Sequence, residues 1–158
     1  MAMSASCTHD HGAPPSDDTV RRALGRAELK TVEGGQRWTE PRRRVYELLL
    51  RAGEPVKAYD LMEVYSDVRT AKPPTVYRAL EYLEQLGFVH RIASMSAYVA
   101  CGADDGDHAP AFLICDCCGS AQEFEPGAVP KARAAAKSAG FTPREVAVEV
   151  RGRCARCA

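Results

Sequence analysis

Four of the seven cysteines in this chain fall into two Cys-x-x-Cys pairs, Cys115 with Cys118 and Cys154 with Cys157. A tight turn between two cysteines offers both sulfurs to one ion. Two such hooks complete the tetrahedral thiolate set that zinc favours. An ion held by all four would tie the last residues of the chain to the start of their domain, and it would stabilise the fold directly because the unfolded chain cannot coordinate it. Cys117 lies inside the first hook, and the x-x spacing leaves it spare. A redox pair or buried free thiols is the competing reading of Cys-x-x-Cys, and the absence of a thioredoxin-like βαβ context favours zinc.

A second, more scattered set mixes donor types: His90, Cys101, His108 and Glu123. Nitrogen, sulfur and oxygen ligands together suit a reversible site, whereas four thiolates hold zinc too tightly to sense it. The single thiolate shifts preference towards zinc and away from harder ions such as manganese. Each of these residues alone has a blander reading, a hydrogen-bonded histidine or a solvated carboxylate. Together they straddle the expected domain boundary, where a metal could lock two domains into one geometry. Cys7, His9 and His11 form a third cluster in the polar N-terminal stretch, read as accessory metal capture.

The elements that must position these residues can be read from periodicity and punctuation. Residues 1–18 read as a flexible tail rich in Ala, Ser, Pro and Asp. A helix is expected over about Thr19 to Val32, ended by Gly34-Gly35. Thr39-Glu40-Pro41 marks a helix start, and Val45, Leu48, Leu49 and Ala52 follow at helical spacing. Gly53-Glu54-Pro55 breaks it. Leu61, Val64, Tyr65 and Val68 mark the next helix, and Thr75 reads as the cap of another whose apolar face is Val76, Leu80, Leu83 and Gly87. Phe88–Ile92 and Ala97–Cys101 then read as strands joined by Ser94-Met95-Ser96.

Three helices and a strand pair describe a winged helix-turn-helix domain over residues 19–101. Residues 102–110 read as an acidic, glycine-containing hinge loop. Residues 111–158 read as a small domain of short strands (Phe112–Ile114, Ala121–Glu125, Glu145–Val150) and one helix (Lys131–Ala139). A domain of roughly fifty residues has a thin core and needs a staple such as zinc. The fold class is therefore α+β.

The 158 residues carry 21 basic and 21 acidic side chains, with 46% hydrophobic composition. This excludes a disordered chain, a collagen and a histone-like basic protein. No apolar run is long enough to span a bilayer, and the first fifteen residues lack the apolar core of a secretory signal. A cytoplasmic location is the expectation, and with it an odd cysteine count that argues against a disulfide framework.

Zero net charge hides an asymmetry. Thr19 to Ala93 holds fourteen Lys or Arg against ten Asp or Glu, and the residues from Ser94 onward hold seven against eight. The basic half includes consecutive Arg42, Arg43 and Arg44, suited to phosphate contacts. If Val76, Leu80 and Leu83 face a core, Tyr77, Arg78, Glu81 and Gln85 face outward. Arg78 can then reach a guanine edge, and Tyr77 a thymine methyl or a phosphate. Tyr59, read as preceding its helix, and Thr75 complete the candidate DNA-contacting set. A modest charge excess points to a dimer reading two half-sites.

Ala58-Tyr-Asp-Leu61, Ala71-Lys-Pro-Pro-Thr-Val-Tyr-Arg-Ala-Leu80, Gly87-Phe-Val-His90, Tyr98-Val-Ala-Cys101 and Ile114-Cys-Asp-Cys-Cys-Gly119 resemble the ferric uptake regulator family, and within it the zinc-sensing branch. The resemblance runs from about Ala23 to Cys157. It implies an N-terminal winged helix, a C-terminal dimerisation domain and a homodimeric repressor of zinc-uptake genes that binds AT-rich palindromic operators when zinc-loaded. It implies two zinc ions per subunit, a structural one at Cys115, Cys118, Cys154 and Cys157 and a regulatory one at His90, Cys101, His108 and Glu123. Tyr77 and Arg78 match its DNA-reading positions. Two departures stand out. The family's Thr-Pro-Gln-Arg becomes Thr39-Glu-Pro-Arg42, and the histidine-rich loop of iron sensors is reduced to His108.

Double-stranded operator DNA and a second copy of the chain are thus the expected partners, with no membrane and no small-molecule substrate. An iron, manganese or peroxide sensor on the same fold is the nearest alternative. A zinc hydrolase or thiol oxidoreductase is the other class. A hydrolase needs an open coordination position and a placed base, which four protein ligands do not leave.

Overall fold

The structure is a computed structural model that describes residues 15–66, 73–101, 111–124, 127–144 and 146–158, Ala128 by its backbone alone. His108, Val68 and the Cys7, His9 and His11 cluster lie outside the described residues. The described chain falls into two compact units, one on each side of the 102–110 segment.

The first unit opens with helix α1 (Asp17–Glu33), two residues earlier than the periodicity suggests. Ser16 explains the difference: its hydroxyl accepts the Thr19 amide at 3.2 Å, and Asp17 and Asp18 favour the positive end of the helix dipole. Both aspartates therefore belong to the helix and not to the tail. Val20, Ala23, Ala27 and Thr31 form its buried stripe.

Helix α2 (Glu40–Ala52) has Thr39 as N-cap residue without a side-chain cap bond, and Pro41 in its first turn, where no amide is needed. It ends at Gly53, whose φ of 63° closes the last turn onto Leu49. Strand β1 (Val56–Lys57) follows, too short for an alternation signal, and helix α3 (Ala58–Ser66) begins at once. Helix α4 (Pro73–Gln85) carries both prolines at its start, so Thr75 is its third residue and not its cap. Fixed φ and no need for an amide let Pro73 and Pro74 open the helix.

Gly87 is not part of the apolar face of α4 but lies in the turn that terminates it, at φ 75°, with its amide on the Glu84 carbonyl and the Phe88 amide on the Leu83 carbonyl. That paired bonding turns the chain straight into strand β2 (Val89–Ile92). A 3-10 turn (Ala93–Met95) and Ser96 at φ 50° reverse it into strand β3 (Ala97–Ala100). The three strands form an antiparallel sheet in the order β1-β3-β2.

The core of this unit is built from all four helices and the wing. Val45, Leu49, Val76, Leu83 and Val89 are completely buried, and Tyr46 packs on Phe88 with ring centroids 5.6 Å apart. Lys30 of α1 donates to the Leu86 carbonyl at 3.1 Å and lies over the Phe88 ring. The first helix is thereby anchored to the corner between α4 and β2.

The second unit holds strands β4 (Ala111–Cys115) and β5 (Ala121–Glu123), helix α5 (Ala128–Ser138) and strand β6 (Val148–Gly152). The helix starts three residues before the expected Lys131, and β6 is shifted towards the second hook. β4 is central, antiparallel to β5 and parallel to β6. Phe112 and Ile114 point to the buried face; Leu113 and its register partner Val150 point to the other and are 41% and 48% exposed. No helix among the described residues is long and apolar enough to cross a membrane.

Candidate functional site

The thiol site follows from the parallel pairing of β4 and β6. Cys115 closes β4 and stands in register with Gly152, which closes β6. Both strands therefore leave the sheet at the same end, and each enters a turn. The first turn closes through the Gly119 amide on the Cys115 carbonyl and the Cys115 amide on the Ser120 carbonyl. Gly119 sits at φ 73°, where a Cβ would be strained. The second closes through the Cys157 amide on the Cys154 carbonyl at 2.8 Å. An Asp116 amide bond to the Gly152 carbonyl and the Arg151 guanidinium on the Asp116 carboxylate (2.6 and 2.9 Å) clip the two turns together.

The sulfurs of Cys115, Cys118, Cys154 and Cys157 all lie within 4.8 Å of one another, with Cys118 and Cys154 at 4.0 Å. Four sulfurs at zinc–sulfur bond length around one ion stand about 3.8 Å apart. The set therefore fits tetrahedral zinc with little movement, and none of the four is in a disulfide. Amides of Cys118 and Cys154 pull the Cys115 thiol down to about 6, and the Ser120 hydroxyl lowers Cys118. Amide donors of this kind stabilise thiolate, the form that binds metal. Cys157 moves the other way, raised by burial and then by its neighbouring sulfurs. Cys117 is half-buried and outside the four-sulfur set. The spacing of the cysteines gives no sign of the Ser120 and Arg151–Asp116 contacts. Their only trace in the sequence is an aspartate inside the first hook.

The mixed-donor residues divide between the units. In the first, His90 pairs with Val99 across the wing, and the Cys101 amide bonds the Phe88 carbonyl one step further along. Residues opposite each other share a face, as do residues two apart, so His90 and Cys101 are diagonal neighbours on one face. A ring nitrogen of His90 and the Cys101 sulfur lie within 4.8 Å, and both residues are buried. In the second unit Glu123 ends β5, in register with Phe112. His108 lies outside the described residues.

The nucleic-acid candidates lie on the outer surface of α3 and α4. Val76, Ala79, Leu80 and Leu83 are buried, whereas Tyr77, Arg78, Glu81 and Gln85 are exposed. Tyr59 sits in the first turn of α3, not before it, and is 65% exposed with its hydroxyl bonded to Glu63. Thr75, Arg78 and Ala79 line a groove of about 230 Å³ with Thr39, Pro41 and Arg42 of the α2 start.

The three consecutive arginines do not form one free cationic face. Arg42 stacks on the Tyr82 ring, 3.3 Å from its centroid, and donates to the Arg37 carbonyl. Arg43 pairs with Glu47 at 3.3 Å. Helical spacing places Glu47 beside Arg43, whereas Tyr82 reaches Arg42 only through the packing of α4 on α2.

The chain is similar to known proteins over most of its length. Over 142 residues it is 36% identical to the zinc uptake regulation protein of Escherichia coli (strain K12), a span covering 88% of this chain and 83% of that protein. It matches a solved zinc uptake regulator complexed with zinc and DNA at a TM-score of 0.82 and 36% identity, covering 88% of this chain and 95% of that one. Against the crystal structure of holo XcZur the TM-score is 0.78 at 41% identity, covering 90% and 98%. The ferric uptake regulator family model matches residues 33–151. With most of the chain spanned by that match, and with a winged helix ahead of a four-cysteine strand domain, the protein belongs to the ferric uptake regulator family.

Proposed function

We propose that this protein is a zinc-responsive transcriptional repressor that binds palindromic operator DNA as a zinc-loaded homodimer and represses zinc-uptake genes. The observation that carries the reading is the continuity between α4 and β2. The helix that presents Tyr77 and Arg78 ends at Gln85, and the chain turns at Gly87 and runs through Phe88 and Val89 to His90. A ligand bond at His90 and Cys101 therefore bears on the strand pair against which the recognition helix is set. The similarity to a zinc uptake regulator complexed with zinc and DNA supports the same assignment.

In this reading Cys115, Cys118, Cys154 and Cys157 hold a structural zinc, and His90 and Cys101 with His108 and Glu123 hold a regulatory one, two per subunit. Zinc supplies strong bonds to sulfur and nitrogen; the chain supplies their placement. The donor chemistry of Cys101, a soft thiolate beside an imidazole, supports zinc over iron or manganese. Four protein sulfurs leave no open position for a substrate water, which supports a regulator rather than a hydrolase.

On the DNA side, Arg78 reads a base edge while Tyr77, Tyr59 and Thr75 hold the backbone. The dimer forms through the second unit. Support for that comes from the exposed Leu113–Val150 row beside a groove of about 350 Å³ on a sheet face. Coupling between zinc and DNA is reciprocal, so operator DNA tightens zinc binding.

The test is operator binding against free zinc for the wild type, His90→Ala and Cys101→Ser. The expected result is zinc-dependent binding in the wild type that both variants lose at the same free zinc. Unchanged zinc dependence in both variants would remove the regulatory assignment.

A further inference from the structure

Helix α4 ends without a cation of its own: its last turn holds no basic residue, and Glu84 lies there instead. The last carbonyls of a helix have no partner within it and carry the negative end of its dipole. A residue of α1 supplies what α4 lacks. Lys30, half-buried, donates to the Leu86 carbonyl at 3.1 Å and places the same ammonium 5.3 Å from the centre of the Phe88 ring.

Leu86 and Phe88 flank Gly87, the turn residue at φ 75° through which α4 passes into β2. Phe88 is the junction. Its amide bonds the Leu83 carbonyl of α4 at 2.9 Å, and its carbonyl accepts the Cys101 amide at 2.9 Å. Its ring packs on Tyr46 of α2. His90 follows on β2, a diagonal neighbour of Cys101. A displacement of His90 and Cys101 therefore reaches α4 only as far as this turn is stiff. Lys30 stiffens it from outside, bonding one side of Gly87 and covering the other.

We propose that Lys30 is a positioning residue for the zinc response. By fixing the Leu86–Phe88 turn, it makes a ligand bond at His90 and Cys101 move α4, with Tyr77 and Arg78, rather than flex the turn. The proposal rests on the reading that His90 and Cys101 are zinc-responsive ligands. Lys30 belongs to neither the metal donors nor the DNA-facing residues, so its loss changes the coupling between the two sites and not the sites themselves. The charge and the donated bond carry the role. Arginine can keep both; methionine can still cover the Phe88 ring but offers the Leu86 carbonyl no hydrogen.

The experiment measures operator affinity of the full-length wild type, Lys30→Met and Lys30→Arg by fluorescence anisotropy, at saturating zinc and at low free zinc held by a chelator buffer. Lys30→Met is expected to lower the ratio of the two affinities about fivefold or more, with affinity at low zinc and zinc bound at saturation unchanged. Lys30→Arg is expected to keep the wild-type ratio. At low zinc, amide hydrogen exchange at Phe88 and Cys101 is expected to quicken in Lys30→Met and not in Lys30→Arg. Lys30→Gln is read in the same way, so the comparison does not depend on one variant folding. Lower thermal stability with an unchanged ratio would make Lys30 an ordinary helix anchor and overturn the proposal. A wild type that binds operator equally at both zinc levels would remove the zinc-responsive reading, and the proposal with it.

Discussion

Cys115 and Gly152 are register partners at the ends of two parallel strands, so the two cysteine hooks start side by side. The link between hooks almost forty residues apart is thus a backbone ladder. The remaining distance is bridged by sulfur. Cys154→Ser is expected to lower bound zinc by one ion per subunit and to abolish cooperative melting of the second unit. Zinc held by such ligand sets is worth about 10 kcal/mol or more in small domains. Metal analysis and thermal melting by circular dichroism check this. A variant with full zinc content and an unchanged melt would contradict it.

Arg78 and Arg43 should separate sharply in DNA binding. Arg78 is exposed on α4, whereas Arg43 is paired with Glu47 on its own helix. Arg78→Ala is expected to cost about 1–3 kcal/mol of operator affinity and to relax sequence preference. Arg43→Ala should cost much less. Fluorescence anisotropy with operator and scrambled duplexes at fixed salt and saturating zinc measures both.

Leu113→Asp puts a charge in the middle of the exposed apolar row formed with Val150. Sedimentation velocity is expected to show a shift from dimer towards monomer at micromolar concentration. Zinc bound by the hooks should be unchanged, since Leu113 does not contribute a ligand. A variant that sediments as the wild type would show that the dimer uses another surface.

The ion pair between Asp17 and Arg51, at 2.8 Å, ties the start of α1 to the end of α2. The Arg51 hydrogen bond and charge hold the Asp17 carboxyl below its ordinary value of 3.8. A carboxyl lowered on folding adds stability above its unfolded value, and that stability is lost as pH falls through the folded value. The wild type should therefore lose an increment of stability below pH 4 that Asp17→Asn never has. The pair is exposed, so the difference is small. Urea melts of both proteins at pH 5 and pH 3 check it.

Much of the first unit was legible residue by residue. Val76, Leu80 and Leu83 repeat at helical spacing, and burial of that stripe leaves Tyr77 and Arg78 outside. The starts of helices were harder to read. Thr75 has the residue type of a cap, but Pro73 and Pro74 already satisfy the geometry of a first turn, so α4 begins before it. Ser16 caps α1 ahead of the apolar pattern, because a cap bond depends on one hydroxyl and not on periodicity. The two-residue β1 carries no pattern at all; it exists because Val56 and Lys57 find Tyr98 and Ala97 across the sheet.

Among the metal-site candidates the same division holds. Two Cys-x-x-Cys hooks specify which sulfurs can share an ion, since the spacing within each hook is local. Nothing local shows that Arg151 clips Asp116, that Ser120 steadies Cys118, or that Arg42 is occupied by Tyr82. The winged-helix order, the outward face of α4 and the donor types are legible along the chain. Which β-strand ends lie together, that His90 and Cys101 are diagonal neighbours, and which arginines are paired emerge only once the chain is folded. Helical periodicity, turn chemistry and donor identity are short-range properties carried by a few adjacent residues. Strand register and side-chain partnership depend on chain segments that meet only after the core has formed.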